Sequence, residues 1–146
     1  MATTTATISL SSTDILSQAI SLSETTTLYK HNTTATGLEQ INYHRCVLPT
    51  GENYDLIEES AALADKANYV YIINKNTPVD DYVEISINAE VIGNLYGGDW
   101  MFIPWSCDIS AAANDSTIEA RAYTNSCTVE FALFHSGETL VAATDS

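Results

Sequence analysis

Short runs with a residue period of two most constrain the fold of this chain. In Tyr82–Asn88, Val and Ile recur at every second position, whereas Tyr69–Asn74 is apolar or aromatic on both sides. Alternation places successive side chains on opposite faces of a strand, and a run that is apolar throughout indicates a strand covered on both faces. The pair Gly97-Gly98 then leads into Trp100–Trp105, an uncharged run with two tryptophans. Because Pro104 cannot donate to a ladder, this strand should end there or lie at a sheet edge.

Alternation returns in Ile118–Ala122 and Cys127–Phe134. Weaker strand patterns occur in Ala6–Leu10, Thr25–Tyr29, Leu38–Val47, Val91–Tyr96 and Asp108–Ala112. Ile57–Lys66 is rich in helix formers, which predicts one or two helical turns or an extended connection. About seven to nine short strands separated by turns predict one all-β domain, a β-sandwich of jelly-roll type.

The first part of the chain differs in composition from the rest. The first 36 residues contain 11 threonines and 6 serines, which favour extended backbone over helix interiors. We predict a Thr/Ser-rich N-terminal arm at 1–24, a β-sandwich at 25–135 and a C-terminal tail at 136–146. A neighbouring molecule would order the arm. The alternative is that its strands complete the same sandwich.

The charge balance limits the choice of partners. The chain has 19 acidic and 5 basic residues and a net charge of −14, so phosphate backbones would repel it. We expect no nucleic-acid partner. The N-terminus lacks the basic and apolar segments of a signal peptide, and no apolar run approaches the ~20 residues that span a bilayer. We therefore expect no membrane association.

Residues suited to catalysis or metal binding are present without a recognisable motif. The three histidines are His31, His44 and His135, and the three cysteines are Cys46, Cys107 and Cys127. An odd number of cysteines without a CxxC pair argues against a disulfide framework and indicates a reduced intracellular history. Buried structural thiols are the simpler interpretation of cysteines in strand-like context.

Two groupings could in principle bind metal. His44 and Cys46 stand two apart on one face of a strand, but no second ligand pair accompanies them. Asp80-Asp81 with Glu84 lacks the spacing and the glycine of a calcium loop, so a solvated acidic loop is the better interpretation. We predict no catalytic residue, no metal and no cofactor, and hence no enzyme.

Aromatic residues give the strongest indication of function. Tyr69, Tyr71 and Tyr82 alternate with core positions, so several tyrosines should lie on an outer sheet face of the kind that is buried against partners. The rings of Trp100 and Trp105 suit a core or a subunit interface, with ligand stacking as the alternative. Gly97-Gly98 carries no lysine and opens no helix, which indicates a tight turn with close backbone approach rather than a phosphate site.

Four segments together resemble a known class of proteins. They are Tyr69–Asn76, Asp81–Ile87, the pair of motifs Val91-Ile92-Gly93 and Gly98–Trp105, and Val129–Phe134. In this order they resemble small virion structural proteins of tailed bacteriophages, in particular those of marine and cyanobacterial phages. The resemblance covers about half of the chain, and the N-terminal half shares no motif with it. The pattern contains no catalytic residue that could be carried over.

The resemblance implies a capsid decoration (cement) protein. Such a protein binds the outside of the assembled phage head, and many weak contacts add up through multivalency. The expected partners are the major capsid protein or other virion proteins, with a homo-oligomer, in particular a trimer, as the expected assembly. The chain would be made in the host bacterial cytoplasm and end on the capsid surface. The expected interface residues are Tyr69, Tyr71, Tyr82, Trp100 and Trp105, with the arm from Thr3 to Thr13.

Three alternatives remain at this point. The chain could be a tail, neck or fibre-attachment component of the same virion, which would occur in far fewer copies. It could be a carbohydrate-binding module for host adhesion, in which Trp100 stacks on a sugar. An enzyme is the third alternative, and it depends only on histidines and cysteines that have no motif.

Overall fold

The computed structural model describes residues 4–14, 17–28, 40–60, 63–64, 67–107 and 116–135. These ranges contain ten strands and no helix. The strands are β1 (Thr4–Ser12), β2 (Ile20–Leu28), β3 (Gln40–Leu48), β4 (Asn53–Ile57), β5 (Asn68–Asn74), β6 (Val83–Ile87), β7 (Glu90–Leu95), β8 (Trp100–Pro104), β9 (Ile118–Ala122) and β10 (Cys127–His135). The strand predicted at Asp108–Ala112, the tail at 136–146, His31 and Thr3 lie outside the described residues.

The strands β3 to β10 form two four-stranded antiparallel sheets. The first sheet has the order β3-β10-β5-β8 and the second the order β4-β9-β6-β7. Within the first sheet β3 pairs with β10 and β5 with β8, and within the second sheet β4 pairs with β9 and β6 with β7. In chain order these four pairs are nested around the β6–β7 hairpin. Such nesting is the topology of a jelly roll, in which one long hairpin is rolled into two sheets. The predicted all-β sandwich fold is confirmed.

The core lies between the two sheets and follows the predicted alternation. Val70 and Ile72 of β5 are fully buried, as are Val83 of β6, Ile118 of β9 and Val129 of β10. Both sheets contribute to one continuous apolar cluster. The close fit of these branched side chains at period two sets the register, because a slip by one residue would turn each of them outward.

Two turns explain local features of the sequence. Asn88 and Ala89 join β6 to β7 with φ angles of 54° and 60°, the left-handed geometry of a two-residue type I′ hairpin. A Cβ atom on Gly97 would lie 2.1 Å from the carbonyl oxygen of Pro78, so only glycine fits there. The predicted close backbone approach at the glycine pair is confirmed. β8 forms an edge of the first sheet and ends at Pro104, also as predicted.

A buried polar cluster ties together three loops at one end of the sandwich. The amide nitrogen of Asn74 donates to the carbonyl oxygens of Asp81 and Leu95, each at 2.9 Å. The carboxylate of Asp81 accepts from the amide nitrogens of Asn76 at 2.9 Å and Asn125 at 2.8 Å. Asp81 is only 3% exposed, so the prediction of a solvated acidic loop is wrong for this residue. Its carboxylate is solvated by side-chain amides instead of water.

Other differences from the prediction concern the N-terminal half. The strand β4 was not predicted, because only one strongly apolar residue, Ile57, is buried in it. The helix-forming segment makes a turn in which Leu63 and Ala64 donate to the carbonyl oxygen of Ser60, and its remaining residues up to Lys66 are only partly described. β1 and β2 form a separate two-stranded sheet, and the predicted boundary between residues 24 and 25 falls inside β2.

Candidate functional site: an aromatic sheet face

The outer face of the first sheet is apolar and aromatic instead of polar. Cross-strand register places the same-face residues of all four strands side by side. We call this surface the aromatic face, and its main members are Ile41, Tyr43, Val47, Tyr69, Tyr71, Ile73, Trp100, Phe102 and Phe134. A sandwich normally presents polar side chains on its outer faces, so an exposed apolar face indicates an interaction surface.

Ring contacts order the centre of the aromatic face. The rings of Tyr69 and Phe102 stack at a centroid distance of 5.6 Å, and Phe134 meets Phe102 edge-on at 6.3 Å. Offset stacking and edge-to-face contacts are the favoured geometries of aromatic pairs. At the margins, Trp100 is 51% exposed and Tyr43 is 54% exposed. The face therefore combines an ordered centre with large rings still open to a partner.

The aromatic face carries almost no net charge. Its charged pair is Arg45 and Glu130, whose side chains approach to 3.5 Å. The hydroxyl of Tyr43 also donates to Glu130. This hydrogen bond, more than partial desolvation and the nearby negative charge, raises the pKa of Tyr43. On a chain with a net charge of −14, a face without excess charge is the part that a second molecule can approach without repulsion.

A cleft separates the β1–β2 hairpin from the aromatic face. Its volume is about 620 Å³, and its sheet side is formed by Tyr71, Trp100, Phe102 and Phe134. The hairpin side includes Ile8, Glu24 and Leu28. Apolar clefts of ~300–1,000 Å³ with few polar groups are typical of binding sites. Glu24 is the carboxylate in this lining and gives the cleft a single negative group.

The outer face of the second sheet is chemically the opposite. Cross-strand pairs place Glu84 beside Arg121 and Asp55 beside Glu119. Tyr82 lies at the end of this sheet, where its ring stacks on Tyr123 at 5.4 Å. The molecule thus has one aromatic face and one acidic face. A partner that covers the aromatic face leaves the acidic face pointing away from the contact.

The structure brings together some of the predicted interface residues and separates others. Tyr69, Tyr71 and Trp100 share the aromatic face, whereas Tyr82 belongs to the second sheet. Thr13 is exposed beyond the end of β1, and Thr3 is outside the described residues. Trp105 does not fit the prediction, because it is 4% exposed. Its indole nitrogen donates to the carbonyl oxygen of Ser116 at 2.8 Å, which fixes the ring in the core.

Sequence reasoning missed the part of the aromatic face that β3 contributes. Ile41, Tyr43 and Val47 are all more than half exposed and lie on one side of the strand. The available signal was their even spacing, with apolar residues at positions 41, 43 and 47 interrupted by Arg45. The interruption made the strand look mixed, although Arg45 is paired with Glu130 on the same face.

His44 and the three cysteines are reactive side chains in the described part of the chain. The ring of His44 packs against Phe131 at 5.4 Å, and burial raises the pKa values of the Cys46 and Cys127 thiols. All three cysteines belong to the described residues, and none of them forms a disulfide. Among the described residues, no group of three or more His, Cys, Asp or Glu side chains is arranged to hold a metal ion.

Neither protein-family models nor curated proteins give a match to the sequence. Within the described ranges, no helix has the length and apolar character needed to cross a membrane. The class of protein is therefore defined by the fold and the surface alone: a jelly-roll β-sandwich with one exposed aromatic face.

Proposed function

We propose that this chain is a virion structural protein of a tailed bacteriophage, and specifically a capsid decoration protein. The observation that carries the proposal is the aromatic face, which is exposed, nearly uncharged and opposite an acidic face. Together with the resemblance of residues 69–134 to small phage structural proteins, this surface favours a role in assembly. In this proposal the chain has no catalytic role.

The proposed contact has a simple physical basis. An exposed ring such as Trp100 loses water-accessible apolar area when a capsid subunit covers it, and this burial contributes roughly 25 cal/mol per Å². A stable contact needs ~800 Å² on each partner. The acidic face would then point outward. Jelly rolls also occur in lectins and cupins, so the fold by itself does not select among these functions.

A binding experiment with phage heads tests the proposal. The purified chain is added to assembled heads that lack it, and the bound fraction is measured after the heads are pelleted. We expect saturable binding with many copies per head, and we expect Trp100→Ser to weaken binding about tenfold or more. Val91→Ser is the matched control, because Val91 is exposed on the second sheet. No binding, or equal binding by the Trp100 variant, would contradict the proposal.

A carbohydrate-binding adhesion module is the second candidate. The observation that favours it is the position of Trp100, half-exposed at an apolar cleft that also contains Glu24. Sugar rings stack on such side chains, and a carboxylate accepts their hydroxyl hydrogens. A glycan array distinguishes the two functions. Binding of a glycan that is lost in Trp100→Ala would favour adhesion, whereas an array without signal would remove this candidate.

A tail, neck or fibre-attachment component is distinguished by copy number. A decoration protein covers a whole head, so hundreds of copies are expected in each particle, whereas tail and neck components occur in much smaller numbers. Quantitative mass spectrometry of purified virions, scaled to the major capsid protein, measures this ratio directly.

A further inference from the structure

The β1–β2 hairpin has two chemically different faces. Its register places eight hydroxyl residues together on one face: Thr5, Thr7, Ser9, Ser11, Ser21, Ser23, Thr25 and Thr27. The apolar side chains of the hairpin all lie on the opposite face: Ala6, Ile8, Leu10, Ile20, Leu22 and Leu28. The hairpin is therefore amphipathic, although its apolar face also carries Thr4, Ser12, Glu24 and Thr26.

The molecule covers this apolar face unevenly. Leu28 is 2% exposed where the hairpin meets the rest of the chain, and Ile20 at the far end is partly buried, but the directly paired Leu10 and Leu22 are 50% and 58% exposed. The far half of the hairpin thus presents two large apolar side chains to solvent.

A second uncovered apolar strip lies on β3. Ile41, Tyr43 and Val47 stand on the outer side of this edge strand, at the margin of the first sheet opposite β8. The sheet side of the cleft is formed by β5, β8 and β10, and among the described residues no residue of β3 lines this cleft. We call these three residues the β3 strip.

We propose that the far half of the hairpin from one copy docks on the β3 strip of a second copy. Charge complementarity supports this pairing. Glu24 stands two residues from Leu22 on the apolar face of the hairpin, and Arg45 stands two residues from both Tyr43 and Val47. Two residues of strand span about 7 Å in each case, so placing Glu24 opposite Arg45 brings Leu22 onto an apolar residue of the β3 strip.

The rest of the surface argues for the same pairing. Two copies that each carry a charge of −14 repel one another except where their surfaces hold little charge. The hairpin face holds one carboxylate, and Arg45 is one of only five basic residues in the chain. Its side chain remains 65% exposed beside Glu130, so it is accessible to a second carboxylate.

The small size of the contact limits the strength of a single pair. The far half of the hairpin is about 15 Å long and two strands wide, roughly 150 Å² per face, which is less than the ~800 Å² of a stable pairwise contact. The donor and acceptor surfaces differ, so the contact is heterologous and closes into a ring when the rotation permits. In a ring each copy makes the contact twice. This association between copies does not depend on the virion role.

Sedimentation velocity of the full chain, from about 5 to about 500 µM, tests the inference. The hairpin variant carries Leu10→Ser and Leu22→Ser, and the strip variant carries Ile41→Ser and Val47→Ser. The control carries Val91→Ser and Ile92→Ser on the second sheet. All six side chains are about half exposed or more, so the fold should survive, which circular dichroism verifies. We expect one closed oligomer for the wild type and the control, and association at least about tenfold weaker for either variant.

Mixing the two variants identifies which surfaces meet. The hairpin variant keeps an intact β3 strip and the strip variant keeps an intact hairpin, so an equal mixture can form pairs with one intact contact but no ring. At about 500 µM the mixture should contain more dimer than either variant alone, and a mixture with no more dimer than its components would overturn the proposal. A wild type that is monomeric at every concentration, or a Glu24→Arg variant that associates as the wild type does, would also overturn it.

Discussion

The ring of Tyr69 on β5 lies over the ring of Phe102 on β8, with the centroids 5.6 Å apart and the planes 7° apart. The two residues are diagonal neighbours across an antiparallel pair, since Tyr69 is opposite Pro104 and Tyr71 opposite Phe102. Because β8 ends at a proline and pairs with one strand among the described residues, this stacking helps to hold the edge strand against the sheet. The aromatic face is thereby ordered before any partner arrives.

Removal of the Phe102 ring should destabilise the fold. Phe102→Ala deletes the stack with Tyr69 and the edge contact with Phe134 from a partly buried site, which should lower the free energy of unfolding by about 2 kcal/mol. Urea denaturation followed by circular dichroism measures this change. Trp100→Ala on the same strand, where the ring is half exposed, should cost less than about 1 kcal/mol. Equal costs for the two variants would contradict the role given to the stack.

Neutralising Asp81 should destabilise the protein even though it removes a buried charge. Asp81→Asn turns one accepting oxygen toward Asn76 or Asn125 into a donor, which leaves two donors facing each other and should cost about 2 kcal/mol. The double variant Asp81→Asn with Asn125→Asp restores one donor to one acceptor, so it should recover part of the loss. Urea unfolding of Asp81→Asn, Asn125→Asp and the double variant measures this coupling, and an Asp81→Asn variant more stable than the wild type would contradict it.

Gly97 should tolerate no side chain. Gly97→Ala places a methyl group against the backbone carbonyl of Pro78 and should lower the free energy of unfolding by about 3 kcal/mol through backbone displacement. Gly93 is the matched control, because a Cβ atom there meets no atom within 4 Å. Thermal unfolding of both variants tests the prediction. A Gly97→Ala protein as stable as Gly93→Ala would show that the loops can separate freely.

The pKa of Tyr43 should lie above its ordinary value of 10.0, mainly because its hydroxyl donates a hydrogen bond to Glu130. The folded-state pKa exceeds the unfolded value, so this contribution to stability is complete below pH 10.0 and is lost as the pH rises through the folded-state pKa. Ultraviolet titration of tyrosinate in the wild type and in Tyr43→Phe isolates the signal. Glu130→Gln should lower the pKa of Tyr43, and an unchanged titration would contradict the assigned cause.

The strands that could be predicted are those in which every second side chain is buried, because burial then leaves an alternating pattern in the sequence. β5, β6, β9 and β10 have inward residues at every second position, so their existence and orientation followed from periodicity. The pairing of β3 with β10 could not be predicted, because its paired residues, from Cys127 and Leu48 to His135 and Gln40, are far apart in the sequence and no local rule specifies it. The same is true of the nesting that makes the sandwich a jelly roll.

The candidate site could be predicted in part. The sequence predicts Tyr69 and Tyr71 on an outer sheet face and Trp100 in a core or a subunit interface, but only the register shows that the three share one face. Tyr82 follows the same alternation and yet belongs to the other sheet, since the loop before β6 crosses the sandwich. Trp105 continues the apolar run of β8, but it follows Pro104, where the strand ends and the chain turns toward the core.

The central claim is that the aromatic face binds the phage head in many copies. A three-dimensional reconstruction of the virion by electron cryomicroscopy tests it most directly. The account predicts density for the jelly roll at repeated positions on the outer capsid surface, with Trp100 and Tyr71 toward the capsid and Glu84 and Glu119 toward solvent. A reconstruction in which the capsid surface lacks this density, or in which the acidic face contacts the shell, would contradict it.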